Sequence, residues 1–420
     1  MLTISQAFVA LVISLLIVQF LKLRKACQQL PPGPTPLPLL GNLEISSGII
    51  LASGRSWKQQ RRFGIMTLHN LGMGKKGLEY CVQEEASHLV EFFVNLKGIP
   101  VDPSFPLFHS ISNLICALVF GYHFSDEDKT FHELISATEN LFRFAGSFIH
   151  QLYEIIPWLM HHLPGPHKKA LSCYDVLSSF ARREIRRHKE RGIPDEPQDF
   201  IDFYLAEMEK VSVYNLVCVI NDLFLSGSET SSTTLYWGLL YMVVHPDIQE
   251  KVQKELDAVL GSSQLICYED RRKLPYTNAV VHEIQRFSNI VFVGVPRVCV
   301  RNTTLLGFPL KKGTIIMPNI ASVLYDPEQW ETPRQFNPGH FLDKDGNFIN
   351  REAFLPFSAG KWHRVCLGEH LARTELFIFF ANLLRAFTFQ LPEGVTKINT
   401  EPILGGTLQP HPYRVCAIPR

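Results

Sequence analysis

The sequence predicts a mainly α-helical protein with small β-sheets, tethered by an N-terminal transmembrane helix. Three observations predict it. Residues from about 56 to 290 carry apolar side chains at three- and four-residue spacing, the period of a half-buried helix. Residues 296–318 change to β-branched runs cut by turn residues, and the tail GGTLQPHPYRVCAIP has the same character. The opening MLTISQAFVALVISLLIVQFL holds no charge, and Lys22, Arg24 and Lys25 follow at once.

The apolar opening is long enough, as a helix, to span about 30 Å, one bilayer core. No small-residue cleavage site follows it, so residues 1–21 read as a retained anchor rather than a cleaved signal. Positive charge on its C-terminal side keeps the body cytosolic. Residues 22–42 are basic and then proline-rich; PPGPTPLPLLGN supports neither helix nor sheet pairing and reads as a stiff linker. Residues 43–420 form the folded domain. Within it, LPGP (163–166) and GIPDEP (192–197) read as helix breaks. RREIRRHKER (182–191) reads as a solvated helix face. IIPWLMHHLPGP (155–166) is an apolar loop whose Trp158 suits a bilayer interface, a second membrane contact beside the anchor.

Composition narrows the function. Hydrophobic residues make up 46% of 420, ample for a large core. With 41 basic and 40 acidic residues the net charge is +1, which argues against nucleic acid as a partner. Nine cysteines are scattered without a Cys-x-x-Cys, as expected of reduced thiols facing the cytosol.

One of those thiols stands out. In FSAGKWHRVCLGEHLARTEL, Cys366 has Arg364 two places before it, Gly368 two places after, and a run of helix formers beyond. A buried structural thiol, a zinc ligand with His370, a nucleophile with His363 or His370, and an axial thiolate to haem iron are the four readings. Zinc lacks a third and fourth ligand nearby, and no oxyanion architecture accompanies a nucleophile. The local chemistry favours the haem ligand. A helix N-terminus lowers a thiol's pKa, Gly368 has no side chain to collide with a flat macrocycle, and Arg364 supplies a cation for a propionate.

Three further segments fit the same cofactor. DLFLSGSETSSTTL (222–235) has Gly227 inside a helical pattern, where glycine costs about 1 kcal/mol against alanine. Its hydroxyls are placed to bond back to preceding carbonyls and loosen a turn, with Thr230 and Glu229 relaying protons to oxygen held there. HEIQRF (282–287) puts Glu283 and Arg286 on one helix face, with His340 in FNPGHF as a third group to lock them. WKQQRR (57–62) puts Trp57 and Arg61 at i, i+4, donors for a pair of carboxylates.

Taken together and in this order, these segments resemble the cytochrome P-450 haem-thiolate monooxygenases of the microsomal branch. WKQQRRFGIMTL, FRFAGSFIHQLYEI and LARTELFIFF look most like family 2, subfamily J, and the resemblance runs over nearly the whole chain. It implies the P-450 fold and haem b (iron protoporphyrin IX) on Cys366, with Phe357 in the cysteine loop. Arg297, in VPR, is implied as a further propionate partner. Implied too are electrons from NADPH through a flavoprotein reductase or from cytochrome b5, and an endoplasmic reticulum membrane location. The implied substrates are lipophilic, polyunsaturated fatty acids such as arachidonate, epoxidised or hydroxylated in a pocket to which Phe292, Val293, Val295 and Leu408 contribute.

Two departures from the family pattern carry consequences. Arg364 and Cys366 come two residues late after Phe357 and Gly360, so Trp362-His363 is an insertion in the hairpin that cradles the thiolate. Several dozen residues between the proline-rich hinge and the Trp57 helix are also absent, with strands of the main sheet and the loop roofing the pocket. Strands left without partners expose edges and apolar faces. The competing expectation is a haem-poor shortened variant, at most an interaction partner at the membrane. A cysteine hydrolase ranks last.

Overall fold

The structure, a computed structural model, describes residues 48–50, 52–73, 76–125, 127–207, 213–261, 265–360 and 364–420. The expected anchor (1–21), the linker (22–42) and Trp362-His363 lie outside the described residues. No helix among the described residues is long and apolar enough to cross a membrane. The described residues divide into a larger unit, 48–150, Pro164–Gly294 and Asn319–Arg420, and a smaller one, Gln151–Leu163 and Val295–Pro318.

In chain order the helices are α1 (Gly54–Asn70), α2 (Lys76–Asn95), α3 (Ser104–Phe120), α4 (Lys129–Ala145), α5 (Phe148–Ile155) and α6 (Pro157–Met160). They continue with α7 (Pro166–Arg191), α8 (Phe200–Ala206), α9 (Val213–Val244), α10 (Pro246–Val259), α11 (Pro275–Ser288), α12 (Ile320–Leu324) and α13 (Glu369–Ala386). The breaks read at LPGP and GIPDEP fall between α6 and α7 and between α7 and α8. Pro166 and Pro275 start their helices, where the missing N–H costs nothing. Asp128 caps α4 by accepting from the Thr130 and Phe131 amides.

The larger unit is built around α9, a 32-residue helix apolar on nearly every side and therefore buried. Two glycines let neighbours press onto it. A Cβ on Gly227 would stand 2.7 Å from Ile115 Cδ1 of α3, and one on Gly238 would stand 3.2 Å from Ile284 Cδ1 of α11. Close packing thus accounts for Gly227, and α9 runs through it without a break. On α13 the run Leu376 to Ala381 is buried throughout. Phe93 of α2 meets Phe389 edge-on at 5.7 Å, tying β5 (Phe387–Gln390) to the helices. β5 pairs antiparallel with β8 (Cys416–Pro419), and β6 (Pro402–Leu404) with β7 (Leu408–Pro410). The basic run on α7 presents Arg183 and Arg187 to solvent around buried Glu184, Ile185 and His188.

Glu283, Arg286 and His340 form the expected lock, completely enclosed. Arg286 donates from Nε and Nη2 to the two Glu283 oxygens, both at 2.7 Å. Its remaining N–H groups reach the carbonyls of Leu324, Pro333 and Gln335. His340 Nδ1 lies 3.3 Å from both Glu283 oxygens, and Asn337 donates its amide to Glu283 at 2.8 Å. One ion pair therefore organises the proline-containing coil after α12.

The smaller unit holds β1 (Arg297–Val298), paired antiparallel with β4 (Ile315–Ile316), and the hairpin of β2 (Thr303–Leu305) and β3 (Phe308–Leu310). Leu306 and Gly307 turn that hairpin with φ of 51° and 83°, the left-handed pair a two-residue turn demands. Arg297 is half-buried opposite Ile316, and Val295 is exposed. Among the described residues β1 has β4 as its strand partner, and Val300 and Leu306 are each 83% exposed. Trp158 is 71% exposed, with Leu159 and Leu163 open beside it.

Candidate functional site

Cys366 is fixed by the bonds on either side of it. Its amide donates to the Phe357 carbonyl at 3.1 Å, and Arg61 Nη2 of α1 donates to the Val365 carbonyl at 2.6 Å. Gly368 caps α13, whose first turn closes by Ala372 N–H to Gly368 O at 2.9 Å. Ser358 and Gly360 turn the approaching chain with φ of 72° and 121°.

Cys366 keeps accessible surface, yet protein crowds it closely, and this desolvation pushes its thiol pKa up. The Gly368 amide and Arg61 pull it down, whereas Glu369 and Glu375 add to the rise. This corrects the expectation that the helix start alone makes a thiolate. Burial outweighs the dipole here, and a bound metal cation is what would hold the sulfur deprotonated.

The cationic and indole donors are more committed than expected. Trp57 Nε1 donates to the Ile49 carbonyl at 3.0 Å. An indole has one N–H, and here the Ile49 carbonyl takes it. Arg364 stacks over the Trp57 ring at 3.9 Å and donates to Ala52 O at 2.8 Å and Ile50 O at 3.3 Å. Asp222 of α9 holds the same segment, accepting from the amides of Ile49 at 2.6 Å and Ile50 at 3.1 Å. Burial raises the Asp222 pKa to about 6.

The residues nonetheless fit a haem. Nothing lies within 4 Å of where a Cβ on Gly368 would stand, so the backbone is open beside the accessible thiol. Arg61 Nε is buried without a hydrogen-bond partner, a cationic donor to spare for an anion.

On α9 the hydroxyls bond back along the helix as expected: Thr230 Oγ1 to Ser226 O at 2.7 Å, Thr234 Oγ1 to Thr230 O at 2.8 Å, Ser232 Oγ to Ser228 O at 2.7 Å. Glu229 is buried, and its Oε1 accepts from Thr233 and from two residues of the C-terminal hairpin, Thr407 and Gln409. Phe292 and Val293 are half-buried, with Val293 bridged to Asn319, and half-buried Leu408 lies on β7.

Sequence reasoning passed over Glu375. Ser231 Oγ donates to its Oε2 at 2.6 Å between α9 and α13, while Oε1 is buried without a partner. A charged residue inside the apolar run TELFIFF was the available signal, as Asp222 was in α9. Burial raises the Glu375 pKa from 4.5 to about 7. Because the folded state binds this proton more tightly, stability falls as pH rises from about 4.5 to 7 and stays lowered above. Glu375→Gln, which keeps an acceptor for Ser231, is expected to stabilise the protein by up to roughly 3 kcal/mol at alkaline pH and by little in acid. Urea midpoints of both proteins on the two sides of that window check it; a pH-independent difference sinks the assignment.

Comparison with known proteins bears on this arrangement. A family model, Cytochrome P450, matches residues 32–417. Cytochrome P450 2J2 of Homo sapiens is 45% identical over 391 residues, covering 91% of this chain and 77% of that protein. Cytochrome P450 2J1 of Oryctolagus cuniculus is 46% identical over 382 residues, covering 89% and 75%. Cytochrome P450 2C8 of Homo sapiens is 36% identical over 490 aligned positions, covering 99% of this chain and 100% of that protein. Set against 420 residues, 490 positions leave at least 70 without a counterpart here.

Proposed function

The chain belongs to the cytochrome P450 family of monooxygenases, and from that premise we propose that it oxidises polyunsaturated fatty acids of the arachidonate class at the endoplasmic reticulum membrane. Electrons come from NADPH through a flavoprotein reductase, with cytochrome b5 as a second donor. The observation that carries the reading is Cys366, accessible at the start of α13 with the Arg61 guanidinium beside it.

Haem bound through Cys366 supplies the iron that activates dioxygen for insertion of one oxygen atom. The chain's own residues do the rest. Arg61 has Nε to give a propionate. Phe292, Val293 and Leu408 offer apolar surface to the substrate, and exposed Trp158 on α6 seats the body on lipid beside the N-terminal anchor. Thr230 and Glu229 move protons to the oxygen side of the pocket. Thr230→Ala is therefore expected to divert reducing equivalents to hydrogen peroxide, lowering product per NADPH by roughly tenfold or more with little change in substrate affinity. An unchanged ratio removes Thr230 from the relay.

A second reading is favoured by a specific observation. Trp57 and Arg364 already spend donors on the 49–52 carbonyls, and at least 70 aligned positions of the 2C8 comparison are missing here. We place that gap after the proline-rich hinge; on this reading the chain is a haem-poor variant. The carbon-monoxide difference spectrum of the reduced full chain in membranes separates the two. A thiolate-type band with NADPH-dependent turnover of arachidonate supports the enzyme. A missing band leaves the haem-poor variant, and a band without arachidonate products rejects the substrate class.

A further inference from the structure

The C-terminal hairpin reaches Glu229 from outside its helix. Thr407 Oγ1 donates to Glu229 Oε1 at 2.9 Å and Gln409 Nε2 donates to the same oxygen at 2.6 Å. Thr233 Oγ1 of α9 adds a third bond to it at 3.2 Å. The carboxylate is 1% exposed. Three donors on one oxygen hold it in a single seat, and two of the three come from another element.

The hairpin is itself held firmly. The Leu408 amide donates to Ile290 O at 2.8 Å, and the Leu408 carbonyl accepts from Trp237 Nε1 of α9 at 2.8 Å. Gly405 and Gly406 sit against Phe142 of α4, with the Gly406 amide bonded to Phe142 O at 2.7 Å. Thr407, just before β7, and Gln409 within it both turn to Glu229, and on the strand the side chain of Leu408 alternates to the face opposite Gln409. A ligand that displaces Leu408 therefore displaces both donors.

We propose that Thr407 and Gln409 are positioning residues for Glu229: the hairpin holds this carboxylate, sets its readiness to carry a proton, and links it to contact at Leu408. The use made of that proton rests on the monooxygenase reading; the seat itself does not. Burial raises the Glu229 pKa, and the bonds from Thr407, Gln409 and Thr233 lower it. Among the described residues Glu139 of α4 is a charged group that acts on it, and it raises the pKa further. Thr407 and Gln409 are neutral donors, so loss of their two bonds moves the titration upward.

The test is infrared titration of buried carboxyl groups in the full chain before haem is supplied, so that failure to bind haem leaves the readout intact. Glu229→Gln identifies the Glu229 band. In the Thr407→Val/Gln409→Leu double variant that band is expected to persist at least about one pH unit higher than in the wild type. Thr407→Val alone should shift it less, and Thr407→Ser should restore it. If the double variant does not fold, the Thr407→Val and Thr407→Ser pair decides. A band that titrates at the wild-type pH in the valine variants overturns the proposal, and so does a serine variant that fails to restore it.

Discussion

Replacing Cys366 by alanine is expected to abolish the thiolate-type Soret band of the reduced, carbon-monoxide-bound protein completely. Four other thiols are poorly placed to substitute. Cys116, Cys218 and Cys416 are buried. Cys267 is exposed and precedes a short helical turn, as Cys366 precedes α13, but desolvation raises its pKa, and Glu79 and Asp270 facing it add to the rise. At Cys366 burial, Glu369 and Glu375 raise the thiol pKa as well, but the Gly368 amide and the Arg61 cation offset part of that rise. Cys267→Ala should leave the band intact. A thiolate-type band that survives in Cys366→Ala, or vanishes in Cys267→Ala, rejects Cys366 as the ligand.

Glu283→Ala is expected to destabilise the fold by about 3–5 kcal/mol, enough to lose most soluble protein, because it leaves a buried charge unpaired. Arg286 is 0% exposed, and five of its hydrogen bonds run to Glu283 and three main-chain carbonyls. An exposed pair at the same spacing contributes about 0–1 kcal/mol. Against a typical total of about 5–15 kcal/mol, the difference decides whether the chain folds. Arg286→Lys should also be costly, since one ammonium cannot replace a planar fork held on two sides. Denaturant unfolding, or protease resistance where yield is low, measures both. A loss under about 1 kcal/mol for Glu283→Ala would mean that the lock contributes no more than a surface pair.

Much of the architecture was legible. The helical region, the strands at 296–318 and in the tail, and the breaks at LPGP and GIPDEP followed from spacing and from proline and glycine, which act locally. The lock of Glu283, Arg286 and His340 was visible as an i, i+3 pair with a third group available. Less legible was the use of each donor. Trp57 and Arg61 lie on one helix face, as i, i+4 requires, yet Trp57 bonds Ile49 O and Arg61 bonds Val365 O. Spacing along α1 says which side chains share a face and nothing about what that face meets. The thiol of Cys366 shows the same limit. Its place before a helix argued for a depressed pKa, but desolvation and two carboxylates outweigh the dipole.

By itself, the sequence determined the class of fold, the order of its elements, and the candidate ligand: one cysteine at a helix start behind an arginine. Periodicity and capping are written in neighbouring residues, so they can be read without coordinates. Only the tertiary structure decided that Asp222 clamps the segment before α1, that Glu375 is a buried carboxyl against Ser231, and that Thr407 and Gln409 seat Glu229. These contacts join residues more than 140 positions apart. Hydrogen bonding and desolvation act over a few ångströms in space, and no local pattern records which distant side chains the packed helices bring within that range.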